Sequence, residues 1–241
     1  MKPAKTKETG CICDFHSSVI LRMWDVEVPS GPRPLQHHQH LQFEIMLVTS
    51  GSGVYTTEKK KYSINPGDMF IFSGNEPHCI TDVGEHGLCI TNLHFAPGFL
   101  CEHAPEFHSG IDIKFYFHHS NAFENCIEKN KDEPLRLIFE KIREELLNDL
   151  EEAPLMIRSL LSFLVIGLIR DHNYFDHNRK PNPDRMLSIH KALDYINIHF
   201  SEDLTLRDIA ACAGLSPAYF STVFKSTIGI PLCEYINSRR I

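Results

Sequence analysis

His38 and His40 flank Gln39, Glu44 follows four residues later, and His78 stands behind a turn-rich stretch that ends at Pro77. In extended backbone, side chains two residues apart project to the same side. His38 and His40 therefore face one way, and Glu44, an even number of residues further on, shares that side. His78 comes from a separate strand. Three imidazoles and a carboxylate suit a divalent transition metal such as Zn, Fe, Mn or Ni. The same polar groups can instead line a pocket and hydrogen-bond the hydroxyls of a small-molecule effector. His37 projects to the opposite face and reads as a surface residue. Cys11-Ile-Cys13, with Asp14 and His16 nearby, is the one close cysteine pair, and with no second pair to complete four ligands it reads as inert thiols.

A second chemistry-bearing stretch lies near the C-terminus. Thr205-Leu206-Arg207-Asp208 has the form of a capping box, and Leu206, Ile209, Ala210 and Ala213 recur at helical spacing. Gly214 supplies the positive φ needed to leave that helix abruptly. Ser216 as N-cap and Pro217 at the first helical position open a second helix, which buries Phe220, Val223 and Phe224 and ends at Gly229. A small residue at the crossing (Ala210), a glycine at the turn and Phe220 pointing inward match a helix-turn-helix, whose second helix enters the major groove. Pro217, Ala218, Tyr219, Ser221, Thr222 and Lys225 then take the DNA side. Arg207, Lys225 and Arg240 meet phosphate, while Ser221 and Thr222 reach base edges. A structural helical hairpin is the alternative that spacing alone leaves open.

The elements that must position these residues fall into three regions. Residues 1–125 read as short strands forming a barrel or sandwich: Phe43 to Val48, a turn cluster at Ser50-Gly51-Ser52-Gly53, Val54 to Thr57, Tyr62 to Ile64, a turn at Asn65-Pro66-Gly67-Asp68, and Met69 to Phe72. Residues 126–178 turn helical, with Leu135, Ile138, Phe139, Ile142, Leu146 and Leu150 on one face, then a second helix from Pro154 that is apolar almost all round from Leu160 to Ile169. A helix so apolar needs cover on several sides, which points to a homodimer interface. Residues 179–241 carry the helix-turn-helix. Pro181 and Pro183 mark 177–184 as a linker.

Composition narrows the classes. The hydrophobic fraction of 42% and charged fraction of 23% are those of a globular chain. Met1 to Gly10 lacks the apolar stretch of a signal peptide, and the apolar run Leu155–Ile169 is interrupted by Arg158 and Ser159 and is too short to span a bilayer; the expectation is a cytoplasmic protein with no membrane partner and reduced thiols at its eight cysteines. The net charge of −7 sits wholly in residues 1–185, where 19 basic side chains face 26 acidic ones, while 186–241 carries five of each. Any DNA contact relies on a few placed charges rather than on a basic field.

Leu204 to Ala210, Leu215 to Ser221, Phe224-Lys225 and Gly229-Ile230-Pro231 resemble the AraC/XylS family of transcription regulators, and Tyr235 to Ile241 looks like the start of that family's linking helix. The family carries two helix-turn-helix units, so the resemblance implies that the second is missing here, through a truncated product or a natural fragment. Upstream, His38, His40, Glu44 and Gly51 resemble a complete first cupin motif. Gly67 and His78 fit the second, but Ser73 and Asn75 stand where cupins carry Pro and Gly. The implied fold class is α+β: an N-terminal cupin-like β-barrel, a helical dimerisation pair and a C-terminal all-α helix-turn-helix. The implied function is a ligand-responsive regulator in which the barrel senses a sugar-like molecule or a metal and the C-terminal region contacts promoter DNA. The rivals are a metal-dependent cupin enzyme, with His38, His40, Glu44 and His78 around a catalytic ion, and a dimerising competitor without DNA binding.

Overall fold

The computed structural model describes residues 3–13, 19–40, 42–74, 76–95, 98–101, 119–174, 183–228 and 231–239. The described residues form the strands β1 (Lys5–Cys13), β2 (Val19–Val28), β3 (Gly31–Pro32), β4 (Phe43–Thr57), β5 (Lys61–Ile64), β6 (Met69–Phe72), β7 (His78–Phe95) and, after the first helix, β8 (Cys126–Ile127). They form one sheet in the order β1-β2-β7-β4-β6-β8, with β3 on β7 and β5 on β4. The spine is the antiparallel pair of β4, 15 residues long, and β7, 18 residues long, joined from Phe43 opposite Phe95 to Thr57 opposite His78.

The expected turn at Ser50–Gly53 is instead the bulged middle of β4. Register shifts fall between Val48 and Ser50 and between Gly51 and Gly53, and the strand runs on to pair with β5. Bulges bend a strand and sharpen its twist, which lets one strand serve two parts of a closing sheet. Gly51 permits this because its φ is +85° and a Cβ there would lie 2.0 Å from the carbonyl oxygen of Gly87. A glycine cluster thus marks a close backbone approach as well as a chain reversal.

Phe43 to Val48 is buried at every position, so the sheet is covered on both faces. Phe43, Ile45, Leu47, Leu93 and Phe95 pack outward with the helices, while Met46, Val48, Tyr55, Phe70, Phe72, Leu88 and Ile90 fill the barrel interior. The helices are α1 (Gly98–Cys101), α2 (Glu133–Asn148), α3 (Ala153–Asp171), α4 (Pro183–His199), α5 (Leu206–Cys212), α6 (Pro217–Ile228) and α7 (Leu232–Arg239). Asp132 caps α2 by accepting from the Leu135 amide, and Pro134 occupies its first turn. Arg143 on α2 donates to Asp25 of β2 at 2.9 Å, and Thr91 of β7 donates to the other oxygen of the same carboxylate.

Several sequence expectations need correction. Leu150 lies beyond the end of α2 and is 52% exposed, outside the apolar face assigned to it. Pro183, read as linker, opens α4, where its missing amide costs no helical hydrogen bond. The α3 helix is 19 residues long, longer than its apolar run, and is apolar enough by length and composition to cross a membrane. Its inner face of Ile157, Leu161, Leu164 and Leu168 is nonetheless buried in the protein core, where the helix packs chiefly on α2. Its outer face leaves Leu155, Met156, Phe163 and Ile166 exposed.

Two glycines give a measurable contrast. Gly214 also has a positive φ, +70°, but a Cβ there meets nothing within 4 Å. Gly214→Ala is expected to cost only the backbone conformation, about 1–2 kcal/mol, whereas Gly51→Ala adds a backbone collision. Urea unfolding followed by barrel and by C-terminal signals separately should lower the barrel midpoint for Gly51→Ala well beyond the fall in the C-terminal midpoint for Gly214→Ala; equal falls would remove the close approach as the reason for Gly51.

Candidate functional site

Glu44, in the second position of β4, faces the barrel interior beside Phe72 of β6 and His94 of β7 in the ladder. His78 opens β7, and its backbone exchanges two hydrogen bonds with that of His38, at 3.0 and 3.1 Å, which draws the segment before β4 over the barrel end. Side-chain ligand atoms of His38, His40, Glu44 and His78 lie within 4.8 Å of one another. The structure therefore brings together the four residues that the sequence nominated. Glu44 and His78 are buried, His40 is half-buried and His38 is exposed at the rim.

His94 joins them and was missed in the sequence. Nε2 of His40, His78 and His94 stand 2.9, 3.0 and 3.3 Å from the same Glu44 oxygen, Oε2. The available signal was the alternation of Asn92 and His94 with Leu93 and Phe95, which puts two polar side chains on the interior face. That His94 sits opposite Glu44 follows only from the pairing of β4 with β7.

The tautomers are fixed from outside the cluster. His40 Nδ1 donates to the carbonyl of Gln42 at 2.9 Å, and His78 Nδ1 donates to the carbonyl of Glu76 at 2.7 Å. With Nδ1 committed as a donor, Nε2 offers a lone pair that a metal can take or, in the protonated ring, a second donor to Glu44, as at His40. Nε2 of His78 and Nε2 of His94 are buried and, although 3.0 and 3.3 Å from Glu44 Oε2, make no well-directed hydrogen bond. Loss of hydration inside the cluster, with His78 next to it, lowers the pKa of His38 to about 4 although the residue as a whole lies exposed at the rim, and burial lowers that of His94. Burial would raise the pKa of Glu44, but His94 and the three imidazole contacts hold it well below the usual carboxylate range. Buried nitrogens without partners around one ionised carboxylate form a donor set that a divalent cation satisfies.

Ser73, a departure from the cupin pattern, has a role in the shell behind this cluster. Its amide and hydroxyl both donate to Glu76 Oε2, at 3.1 and 3.2 Å, while Oε1 accepts from His119 Nε2 and Asn125 Nδ2, at 3.1 and 2.9 Å. The carboxylate of Glu76 is thereby anchored on both oxygens, and its carbonyl orients His78. Asn75 lies outside the described residues.

In the C-terminal region the Thr205 hydroxyl accepts from the Asp208 amide at 3.2 Å, so Thr205 caps α5. Ala210 is fully buried at the helix crossing, and the Leu215 amide returns to its carbonyl at 2.9 Å across the Gly214 turn. Phe220, Val223 and Phe224 of α6 are buried, with Phe224 edge-on to Tyr235 of α7. Leu206 departs from the expected inward face: it begins the helix and is 40% exposed. Arg207, Pro217, Ala218, Tyr219, Ser221, Thr222 and Lys225 are all exposed. Thr222 already donates to the Ala218 carbonyl at 3.2 Å, so its hydroxyl has to exchange partners to read a base, whereas Ser221 presents its side chain outward. Arg240 and Gly229 lie outside the described residues.

Comparison with known proteins follows the same division. Residues 32–165 match the AraC-like ligand binding domain, and residues 196–237 match the bacterial regulatory helix-turn-helix proteins of the AraC family. An uncharacterised HTH-type transcriptional regulator of Staphylococcus aureus strain COL is 26% identical over 198 residues, covering 82% of this chain and 25% of the relative. The chain thus spans about a quarter of the length of the staphylococcal relatives it matches. The regulatory protein PocR of Salmonella typhimurium is 47% identical over 51 residues, 21% of this chain and 17% of PocR. The crystal structure of the AraC-like transcriptional activator CuxR is 18% identical, with a TM-score of 0.44 over 92% of this chain and 75% of that one.

Proposed function

Because the chain belongs to the AraC family of bacterial regulatory proteins, we propose that it is a ligand-responsive transcription regulator whose barrel senses a small molecule or metal and whose α5–α6 unit contacts promoter DNA. The observation that carries this reading is the presence, on one chain, of the polar cluster around Glu44 and of a helix pair, the first helix capped by Thr205, with an exposed recognition face. The rival, a metal-dependent enzyme, gives no reason for the cap-turn-cap spacing of α5 and α6, so the protein acts by binding rather than by catalysis.

The site residues take these roles. His38, His40, Glu44 and His78, with His94 beside them, hold a divalent transition metal or the polar groups of the effector. When bound, the ion would supply charge compensation for Glu44 and fixed coordination geometry at the barrel mouth. Lys225 and Arg207 meet phosphate, joined by Arg240; Ser221 and Thr222 read base edges, and Pro217, Ala218 and Tyr219 set the approach of α6 to the groove. The exposed apolar residues of α3, with Leu137 and Leu147 of α2, form a homodimer interface that places two recognition helices on neighbouring half-sites.

Three measurements test the reading. Elemental analysis of purified protein should find stoichiometric divalent metal that His78→Ala removes; unchanged content rejects the metal assignment and leaves the polar pocket. Light scattering at micromolar concentration should show a dimer that Phe163→Glu converts to monomer, and a monomeric parent protein would sink the interface. A salt-titrated gel shift on promoter DNA from the native locus should show weak binding, because residues 186–241 carry no net charge and few counterions are released. Lys225→Ala should weaken all sequences alike and lower the salt slope by about one, whereas Ser221→Ala should change which sequence is preferred. Nanomolar, sequence-specific binding by a monomer at physiological salt contradicts this picture.

A further inference from the structure

Next to the histidine cluster, the open end of the barrel holds a cleft of about 450 Å³ lined by Glu8, Ile20, Leu21, Arg22, Trp24, Gln42 and His94. That volume lies in the range of small-molecule pockets. Its floor follows from strand register. Arg22 stands opposite His94 in the β2–β7 ladder, and Trp24 stands opposite Asn92, so these four side chains share one face of the sheet.

The chemistry of the lining restricts what fits. The Arg22 guanidinium lies 5.2 Å from the Trp24 ring centroid, which holds the cation in place over an apolar wall. Among the described residues it pairs with Glu8 at 3.3 Å, and both side chains are about half exposed. Such a surface pair is weakly held, and a ligand carboxylate can take the planar guanidinium in a bidentate fork while Glu8 returns to water. Asn92, beside Trp24 on the same face of the sheet, is buried and lies outside the lining of the cleft. Gln42 at the rim offers both a donor and an acceptor.

We propose that this cleft is the effector site, and that the effector is a small hydroxylated carboxylic acid. Its carboxylate pairs with Arg22, its carbon skeleton lies along Trp24, and its hydroxyls exchange hydrogen bonds with Gln42 at the rim. The assignment rests on the effector-sensing reading of the barrel and adds to it the ligand class and a second set of residues. It also places the effector against His94, whose ring meets Trp24 edge-on at 4.5 Å and faces Glu44 on its other side.

Trp24 is the only tryptophan in the chain, so intrinsic fluorescence reports directly on this cleft. The full chain is titrated with D-galacturonate, D-gluconate and L-malate, and in parallel with D-galactose and acetate. At least one hydroxy acid should shift the emission saturably, with a Kd about tenfold or more below those of galactose and acetate. Arg22→Gln should erase that preference, and Gln42→Ala should weaken the hydroxy acid while leaving acetate unchanged. Equal affinity for galactose overturns the acid class while leaving the effector-sensing reading in place. If Arg22→Gln binds the acid as tightly as the parent chain does, the Arg22 assignment falls. If Trp24 responds to no acid or sugar while promoter binding is intact, the cleft is not the effector site.

Discussion

The site and the two cores all depend on the register of β4 against β7. Because side chains alternate with a period of two, this pairing sends Phe43, Ile45 and Leu47 to the helical side and Glu44, Met46 and Val48 to the interior. A slip of one residue would put the Glu44 carboxylate among the helices and Phe43 in the barrel mouth. The same register sets Glu44 against His94 and, at the far end, Thr57 against His78. The bulges around Gly51 let the pair bend enough for the start of β7 to return to the start of β4.

Within that frame the buried carboxylate is the costly element. A charge with a side-chain exposure of 3% loses most of its hydration, and an unpaired buried ion costs several kcal/mol. Three imidazoles crowd one of its oxygens, yet two of them are committed through Nδ1 to backbone carbonyls and the buried ones lack partners at Nε2. The arrangement is thus incompletely satisfied by the protein's own groups, which is characteristic of sites kept for a ligand rather than for stability. Its surroundings are firmly built. Ser73, Asn125 and His119 fix Glu76, and Glu76 fixes His78.

A continuous set of contacts also leads from this shell to the end of the helical pair. His119 packs on Tyr174, the Ser120 amide donates to the Tyr174 carbonyl at 2.8 Å, and the Ser120 hydroxyl donates to the Asn173 carbonyl at 2.6 Å. Tyr174 is fully buried against Phe43 and Phe123, just after the last turn of α3. The barrel mouth and the C-terminal end of α3 therefore share packed side chains, two ends of the molecule that the sequence separates by more than the length of β4.

The local code of the chain was legible where it depends on neighbours in sequence. Thr205 caps a helix, Gly214 turns the chain and Phe220 points inward because caps, positive φ and helical periodicity are short-range properties. His38, His40, Glu44 and His78 were nominated by spacing and motif resemblance, but His38 and His40 precede β4 outside any strand, so it is the bridge of His38 to His78 rather than strand alternation that brings them to Glu44. What tertiary structure alone decided was partnership across the sheet. It made a bulged strand of the Ser50–Gly53 cluster, because only the approach of Gly87 distinguishes a bulge from a turn. It brought His94 to Glu44 and Arg22 to His94, since register is fixed by which faces are buried and not by local sequence. It also left one side of α3 bare, because an all-round apolar helix does not specify which of its faces meets α2 and the core.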